Sequence, residues 1–401
     1  MSEQEQLNIC VLGNAWSPHI QNRTRSLAEM GHEVTLLSAD SAEIAGVPVT
    51  KITPAWSLPL CGWTILFTYL KEIRRINPDV IHIHYASGFH AWATLLLPEY
   101  PMVVSLMGRD ILFEEQGNPS KGSIGLTLDV LEAAFCVTSK SAHINDYMEK
   151  VAPKILDKTE IIRWGIDPSE FYAMDSRSLR TELGVAPDVP ILLCPRGFGP
   201  VYNIEIILQS LNIIRRKHHA AKLLLFEFRQ DHGYRKHLDK VIIELGLGES
   251  IVIVGDVPHR EMPRYYGLAD VVISIPSSDG MPQSLFEALA CESALIISNL
   301  PHYEEIVKNE REVLTTSIDA ESVAAATSKL LEDESLRRSL GQAGRAMVLD
   351  KANFKKDATR VEKILRRAAN ESPSRKRCGF FRFARLLVWH YVEAILMGKD
   401  R

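Results

Sequence analysis

The segment VVISIPSSDGMPQSLFEALACE, from Val271 to Glu292, predicts the architecture of the whole chain. Its apolar start (VVISI) is typical of a buried strand, the Ser, Gly and Pro residues predict a turn, and a helical pattern begins near Gln283 or Ser284. The first turn of such a helix has unpaired N–H groups that favour an anion, and ligands of parallel sheets bind beyond the carboxyl ends of strands. The segment therefore predicts a strand, an anion-binding turn and a helix.

Similar strand patterns recur on both sides of this segment and alternate with helical stretches. They occupy residues 7–13, 33–37, 79–84, 102–106, 134–138 and 160–163 in the first half, and 191–194, 222–227, 250–254 and 294–298 in the second. Near-continuous Val, Ile and Leu runs are typical of parallel strands buried on both faces. The pattern is interrupted at residues 166–190, which predicts a linker.

The fold class predicted from this alternation is α/β, with two Rossmann-like domains facing a central cleft. A chain of 401 residues is too long for one ordinary core, which agrees with two domains. The predicted boundaries are 1–170 for the first domain, 171–365 for the second and 366–401 for a basic, aromatic tail.

Charge and cysteine usage limit the classes of partner and compartment. Lys and Arg number 46 against 50 Asp and Glu, so the net charge of −4 offers no general attraction to nucleic acid. The six cysteines lie far apart without a C-x-x-C pair, which predicts reduced thiols in a cytoplasmic protein. The acidic N-terminus lacks the pattern of a signal peptide, and we expect no membrane-spanning segment.

Two carboxylates in the opening segment are candidate ligand contacts. Asp279 lies in the turn and Glu287 in the following helix, eight residues later. Carboxylates beside an anion site are poor phosphate ligands but good acceptors for sugar hydroxyl groups. Considered alone, the pair could equally be a turn Asp and a surface Glu.

Six ordered motifs together resemble one enzyme family. They are GHEV (31–34), DVIHIHYA (79–86), LMGRDIL (106–112), RWGID (163–167), GDVP (255–258) and the acidic pair of the opening segment. In this order they resemble the retaining GT-B glycosyltransferases of family 4, also called glycosyl transferases group 1. Asp279 stands where that family usually has Glu.

The resemblance implies a role for each residue of the donor side. Glu287 would accept bonds from ribose hydroxyl groups, Asp279 would hold the transferred sugar, and Arg196 would neutralise the leaving diphosphate without a metal. These three are the predicted catalytic residues. The predicted donor-binding set is Arg196, Asn203, Val257, Gly280, Met281, Pro282, Gln283, Ser284, Leu285 and Glu287.

The resemblance also assigns the acceptor to the first domain and the donor to the second. Acceptor contacts are predicted at Asn14, His19, Gly108 and Asp110. Closure of the cleft would exclude water that would otherwise hydrolyse the donor. Retention in the family is ascribed to attack on the same face, assisted by the leaving phosphate, so no catalytic base is predicted.

Two departures from the family pattern leave the chemistry open. Met107 replaces a His that often contacts the sugar, and Tyr202 or Asn203 stands where many members have a Lys for the diphosphate. These changes put the donor sugar in question and are compatible with reduced or absent catalysis.

The predicted function is transfer of a sugar from a nucleoside-diphosphate-sugar donor to a hydroxyl group of a glycan, a lipid-linked or a small-molecule acceptor. Its setting would be cell-surface polysaccharide or glycoconjugate synthesis, with neither cofactor nor metal. A sugar-nucleotide epimerase or hydrolase and a non-catalytic, sugar-nucleotide-binding subunit remain alternatives. A dehydrogenase is disfavoured because the first strand-turn-helix, GNAWSPHIQNR (13–23), lacks G-x-G-x-x-G.

His82 and His84 occupy alternate positions of a predicted strand and so share one face. Two imidazoles on one face could bind a metal, but no Cys or carboxylate lies at ligand spacing, so a structural role is favoured. The other histidines, apart from His19, are predicted to face solvent.

The C-terminal tail is basic and aromatic. Residues 371–401 contain seven Lys and Arg against three acidic residues. Residues 375–397 could bind an anionic membrane surface, which would make the protein peripheral on the cytoplasmic face. Packing of this segment on the first domain is the favoured alternative.

Overall fold

The computed structural model describes residues 5–53, 61–112, 120–227, 232–255, 257–371 and 382–389. The chain divides into two compact units. One consists of Met1–Arg163 and Lys356–Arg401, and the other of Trp164–Lys355. Each has its own parallel sheet with helices around it, as the α/β prediction requires.

The first unit has a seven-stranded sheet in the order β3-β2-β1-β4-β5-β6-β7. Its strands are β1 (Asn8–Leu12), β2 (Glu33–Ser38), β3 (Val49–Lys51), β4 (Val80–His84), β5 (Met102–Ser105), β6 (Cys136–Ser139) and β7 (Thr159–Ile161). Its helices are α1 (Pro18–Glu29), α2 (Cys61–Ile76), α3 (Phe89–Ala93), α4 (Lys121–Ala133) and α5 (Ala142–Val151).

The second unit has a six-stranded sheet in the order β10-β9-β8-β11-β12-β13. Its strands are β8 (Ile191–Cys194), β9 (Lys222–Phe226), β10 (Ile251–Val254), β11 (Val271–Ser274), β12 (Leu295–Ser298) and β13 (Leu314–Thr316). Its helices are α6 (Arg177–Glu182), α7 (Ile204–Ile214), α8 (His232–Glu244), α9 (Met262–Leu268), α10 (Gln283–Ala290), α11 (Ala320–Glu332) and α12 (Glu334–Lys351). Helix α13 (Phe354–Glu371) starts here and returns to the first unit.

Burial and capping explain these elements. Every residue of β4, β5, β8, β11 and β12 is buried, as expected for Val- and Ile-rich strands covered on both faces. Helices α4, α5, α11 and α12 each begin after a Ser or Asp whose side-chain oxygen accepts a backbone N–H bond: Ser120, Ser141, Asp319 and Asp333.

In each sheet the strand order reverses direction at one point, between β1 and β4 in the first unit and between β8 and β11 in the second. Loops after two such neighbouring parallel strands diverge to opposite faces and leave a crevice where ligands bind. Arg196 follows β8 and Asp279 follows β11, so both lie at the reversal point of the second sheet.

The boundaries between units differ from those predicted at 170 and 365. The second unit begins at Trp164 because Ile166 and Phe171 are buried in its core, and the backbone of Ile166 bonds that of Ala352 and Phe354. A Cβ on Gly165 would lie 1.7 Å from the Ala352 carbonyl oxygen, so this close approach requires glycine.

The chain returns to the first unit at Lys356, earlier than the predicted tail at 366. Glu362 of α13 lies 3.4 Å from Nε2 of buried His32, and Arg366 donates to the Glu5 carbonyl oxygen. Polar contacts that are distant in sequence thus join α13 to the first unit.

Two short strands are absent from the sequence-based prediction. The structure adds β3 and β13, each of three residues, at edges of the two sheets. The strand predicted at residues 294–298 is therefore not the last one of the sheet, because β13 pairs with β12. Unlike the predicted strands, β3 and β13 lack a long run of Val, Ile and Leu that would indicate a buried strand.

Residues 382–389 form a helix that packs on the first unit, as the favoured alternative predicts. Phe383, Leu386 and Leu387 are buried in its core, and Arg382 donates to both carboxylate oxygens of Asp129 at 2.9 and 2.6 Å. The other residues of the predicted membrane segment, 375–381 and 390–397, lie outside the described residues. Within the described part of the chain, the helices lack the combination of length and hydropathy required to cross a bilayer.

Candidate functional site

The loops after β8 and β11 are bonded to each other. Asn203 Nδ2 donates to the Ile275 carbonyl oxygen at 2.8 Å, and the Ser277 N–H donates to the Val201 carbonyl oxygen at 2.9 Å. Asn203 has a left-handed backbone conformation (φ 52°), which asparagine tolerates better than most residues. Its amide therefore ties the two loops together, and its predicted contact with a donor is not needed to explain its position.

Arg196 is the centre of a charged cluster between these loops. Its Nη2 donates to Asp279 Oδ2 at 2.7 Å and its Nη1 to Ser284 Oγ at 3.0 Å. The guanidinium carbon lies 4.3 Å from the centre of the Tyr202 ring. Burial alone lowers the pKa of Arg196, but the Asp279 carboxylate raises it above its ordinary value. The structure thus brings Arg196, Asp279 and Ser284, predicted from separate segments, into direct contact.

Helix α10 begins beside this cluster. Its N-cap residue, Pro282, provides no side-chain hydrogen bond, so the first-turn N–H groups of α10 have no side-chain cap. Gln283 is buried, and its Nε2 donates to the Trp164 carbonyl oxygen at 2.5 Å. The Gln283 side chain therefore braces the helix within the second unit, and a donor contact of its backbone stays a prediction.

The turn that precedes α10 contains a strained residue. Met281 has φ 80° although it is not glycine, and its side chain is buried in the core of the second unit, as is that of Leu285. Burial of the side chain holds this unfavourable conformation in place. Gly280 donates its N–H to Asp279 Oδ1 at 2.8 Å. Among the predicted donor residues, Met281 and Leu285 can therefore offer only backbone atoms.

Glu287 lies on α10 and is buried. Its Oε1 lies 2.8 Å from His259 Nε2, and its Oε2 accepts a bond from the Tyr266 hydroxyl at 2.8 Å. Burial lowers the pKa of His259, but Glu287 raises it above its ordinary value. Burial and the same carboxylate raise the pKa of Tyr266 well above its ordinary value. Glu287 thus has a fixed orientation, with side-chain partners on both oxygens.

Sequence analysis missed the partners of Glu287. The prediction that the remaining histidines face solvent is wrong for His259 and His218, whose side chains are only 22% and 17% exposed, and for buried His32. His259 directly follows the GDVP motif, and this position was a signal that it could lie at the site. Val257, in that motif, packs against the core of the second unit, and its contact with the donor stays a prediction.

In the first unit, the structure corrects the role predicted for Asp110. The side chain is fully buried: Oδ1 accepts from the N–H groups of Met107 and Gly108, both at 2.9 Å, and Oδ2 accepts from that of Ala86 at 2.8 Å. Burial raises the pKa of Asp110, whereas these backbone bonds oppose the increase. Asp110 therefore joins the loops after β4 and β5 and is not available to an acceptor.

The other predicted acceptor contacts lie in turns at the same sheet edge. Asn14 is exposed, and its Oδ1 accepts from the Trp16 N–H at 2.8 Å just before α1. His19 is partly exposed in the first turn of α1, and Gly108 needs its glycine because φ is 105°. These three residues remain candidates for acceptor contact.

His82 and His84 are buried in β4. Their ring centres lie 4.2 Å apart, and His82 Nε2 is 2.9 Å from Ser105 Oγ on β5. Burial, with a smaller effect of Arg23, lowers the pKa of His82 to about 3. Both imidazoles have structural neighbours in the sheet, and the described residues contain no group of three His, Cys, Asp or Glu arranged to hold a metal.

Comparison with known proteins gives a consistent result. A family model described as glycosyl transferases group 1 matches residues 175–347, and one described as glycosyl transferase 4-like matches residues 8–141. N-acetyl-alpha-D-glucosaminyl L-malate synthase of Bacillus anthracis is 21% identical, covering 85% of this chain and 90% of that protein. D-inositol 3-phosphate glycosyltransferase of Pseudarthrobacter chlorophenolicus is 22% identical, and the match covers 81% of this chain and 84% of that protein.

Solved structures support the fold. Sucrose-phosphate synthase from Thermosynechococcus elongatus matches 90% of this chain and 98% of its own with a TM-score of 0.78 and 19% identity. The Anabaena protein HepE in complex with UDP-glucose matches 90% and 100% with a TM-score of 0.78 and 16% identity. These similarities establish the GT-B fold.

Proposed function

We propose that this chain, which belongs to the group 1 glycosyltransferases, transfers a sugar from a nucleoside-diphosphate-sugar donor to a hydroxyl group of its acceptor. The observation that carries the proposal is the cluster of Arg196, Asp279 and Ser284 at the uncapped start of α10. Positive charge and backbone N–H groups meet there at the reversal point of the sheet, where a diphosphate would find both.

Arg196 would stabilise the negative charge that develops on the diphosphate as the bond to the sugar breaks. A guanidinium can bind two phosphate oxygens at once, and the helix dipole acts in the same direction. Because Arg196 is already held by Asp279, Ser284 and Tyr202, little reorganisation would accompany the reaction.

The two carboxylates would recognise hydroxyl groups of the donor. Asp279, beside Arg196, would accept from the transferred sugar, and Glu287 would accept from the ribose. Each carboxylate oxygen has two lone pairs, so Glu287 can keep its bonds to His259 and Tyr266 while accepting a hydroxyl group.

The proposal includes retention of configuration and independence of metal. The family resemblance supports retention, and the positive charge of Arg196 beside α10 supports charge stabilisation by the protein itself. A comparison of donor turnover with and without EDTA tests the independence of metal. The anomeric configuration of the product tests retention.

Cell-surface polysaccharide or glycoconjugate synthesis is the proposed setting, with a glycan, lipid-linked or small-molecule acceptor near Asn14, His19 and Gly108. Relatives whose names include malate and inositol 3-phosphate support a small-molecule acceptor. Peripheral contact with an anionic membrane also remains a proposal, supported by the exposure of Val388 and Trp389 beside Arg385.

Thermal unfolding in the presence of UDP, GDP, ADP or CMP, with and without EDTA, tests the proposal. A ligand that binds the folded protein raises the midpoint by mass action. We expect one nucleoside diphosphate to raise it in EDTA, and its sugar conjugate to be consumed when an acceptor is present. Binding without turnover would favour the hypothesis of a non-catalytic subunit. Conversion of the donor in the absence of an acceptor would favour an epimerase or hydrolase. Absence of any shift would contradict the donor site.

A further inference from the structure

We propose that Tyr202 is a positioning residue of the donor site, whose ring holds the Arg196 guanidinium in the orientation that meets a diphosphate. This inference rests on the proposed function. The 4.3 Å separation of the guanidinium carbon from the ring centre is its first support, because a cation over an aromatic face at this distance is attracted by the ring quadrupole.

The contacts of Arg196 leave its guanidinium little freedom. Nη1 donates to Ser284 Oγ and Nη2 to Asp279 Oδ2, which restrains the plane at its edge. The guanidinium carbon also lies over the Tyr202 ring. Two edge contacts alone would still allow the group to tilt, so the ring supplies a third restraint.

The Tyr202 ring itself has a rigid support. Tyr202 is the last residue of a short 3-10 turn, Pro200–Tyr202, and its backbone N–H donates to the Gly199 carbonyl oxygen at 3.0 Å. The next residue, Asn203, ties this turn to Ile275, just after β11. The ring is partly buried against the core beneath α7. Tyr202 therefore connects the orientation of Arg196 to two neighbouring strands.

A tyrosine brings no positive charge, so Tyr202 would act on a diphosphate only through Arg196. Removing the ring should weaken nucleotide binding about tenfold, the effect of one partly desolvated cation–π contact. Removing only the hydroxyl should weaken binding less, because the ring remains in place, although the hydroxyl also helps to raise the pKa of Arg196.

The experiment measures affinities for UDP, GDP and ADP by calorimetry in wild-type protein, Tyr202→Phe and Tyr202→Leu. Tyr172→Leu, which removes a 41% exposed tyrosine of the same unit, is the matched control. Arg196→Gln, which has no positive charge, and the double variant Arg196→Gln with Tyr202→Leu complete a double-mutant cycle. Thermal midpoints without nucleotide monitor folding, and Tyr202→Met replaces Tyr202→Leu if that protein does not fold.

We expect wild-type affinity for Tyr172→Leu, an affinity about tenfold lower for Tyr202→Leu, a smaller loss for Tyr202→Phe, and little further effect of Tyr202→Leu once Arg196 is Gln. Wild-type affinity in Tyr202→Leu, or fully additive effects in the cycle, would overturn the inference alone. Failure of the wild-type protein to bind any of the three nucleotides would overturn the proposed function and this inference with it.

Discussion

Asp110 of the first unit and Glu287 of the second are both buried carboxylates in segments that follow strands of a parallel sheet, but their partners differ. Asp110 accepts three bonds from backbone N–H groups of adjacent loops. Glu287 is held by two side chains, His259 and Tyr266, and the neighbouring Asp279 by the side chain of Arg196.

The difference separates a structural carboxylate from candidate ligand contacts. The bonds from backbone N–H groups to Asp110 hold the loops after β4 and β5 together. A ligand that replaced these bonds would separate the two loops. Side-chain partners such as Arg196 carry several N–H donors, so they can bind a ligand in addition to the carboxylate. Variants in each unit should therefore separate effects on stability from effects on nucleotide binding.

Arg196→Gln should have the largest effect. It removes the positive charge beside α10 and leaves the Asp279 carboxylate, only 14% exposed, without its ion-pair partner. We expect a loss of about 3 kcal/mol in the free energy of unfolding and an affinity for nucleoside diphosphate lower by about a hundredfold. Urea denaturation and calorimetry measure the two quantities.

Arg338→Gln is the matched control for this change. Arg338 belongs to the same unit and pairs with Glu334 on the exposed surface of α12. Its loss should leave nucleotide affinity unchanged and cost less stability. Equal losses of affinity in both variants would show that Arg196 has no special part in binding.

Asp110→Asn should reduce stability without changing nucleotide affinity. The amide can accept through only one oxygen, so at least one backbone N–H of the loops after β4 and β5 loses its bond. We expect a cost of about 2 kcal/mol in the free energy of unfolding, measured by urea denaturation. A wild-type free energy of unfolding would contradict the structural role of this carboxylate.

Glu287→Gln should weaken recognition of ribose. Loss of the carboxylate should lower affinity for the preferred nucleoside diphosphate about tenfold and remove the preference over its 2′-deoxy analogue. Glu292→Gln, which changes a more exposed glutamate just after α10, is the control. If Glu287→Gln still discriminates against the 2′-deoxy analogue as the wild type does, Glu287 does not contact the ribose.

The pH dependence of stability should reveal the contact between His259 and Glu287. Because the folded-state pKa of His259 is raised, the stability that its protonation contributes is present below the pKa of the unfolded chain and is lost as pH rises through the folded-state value. Glu170 also raises this pKa, and Tyr266 is bonded to the same Glu287.

The test measures the free energies of unfolding of wild type and His259→Gln from pH 5.5 to 9 in steps of about half a unit. The expected contribution of His259 protonation to stability is small. The difference between the two proteins should be greatest at low pH and shrink as pH rises. Because other histidines titrate in both proteins, the subtraction isolates His259. A difference that is constant over the range would contradict the protonated His259–Glu287 pair.

The amino-acid sequence by itself determined the α/β class, most strands and the segment on which the candidate site lies. Near-continuous apolar runs indicate strands buried on both faces. The Ser, Gly and Pro residues before α10 indicate a turn between a strand and a helix. The charged residues Arg196, Asp279 and Glu287 were identifiable because their motifs occur in family order.

Only the tertiary structure decided which partners those residues have. His259 bonds Glu287, Arg196 bonds Asp279, and Asp110 accepts from the Ala86 N–H, although these partners are distant in sequence. The unit boundaries and the return of α13 likewise depend on contacts such as that of Glu362 with His32. The physical reason is that strand order brings loops from distant segments to one sheet edge, and side-chain direction there follows from packing rather than from local pattern.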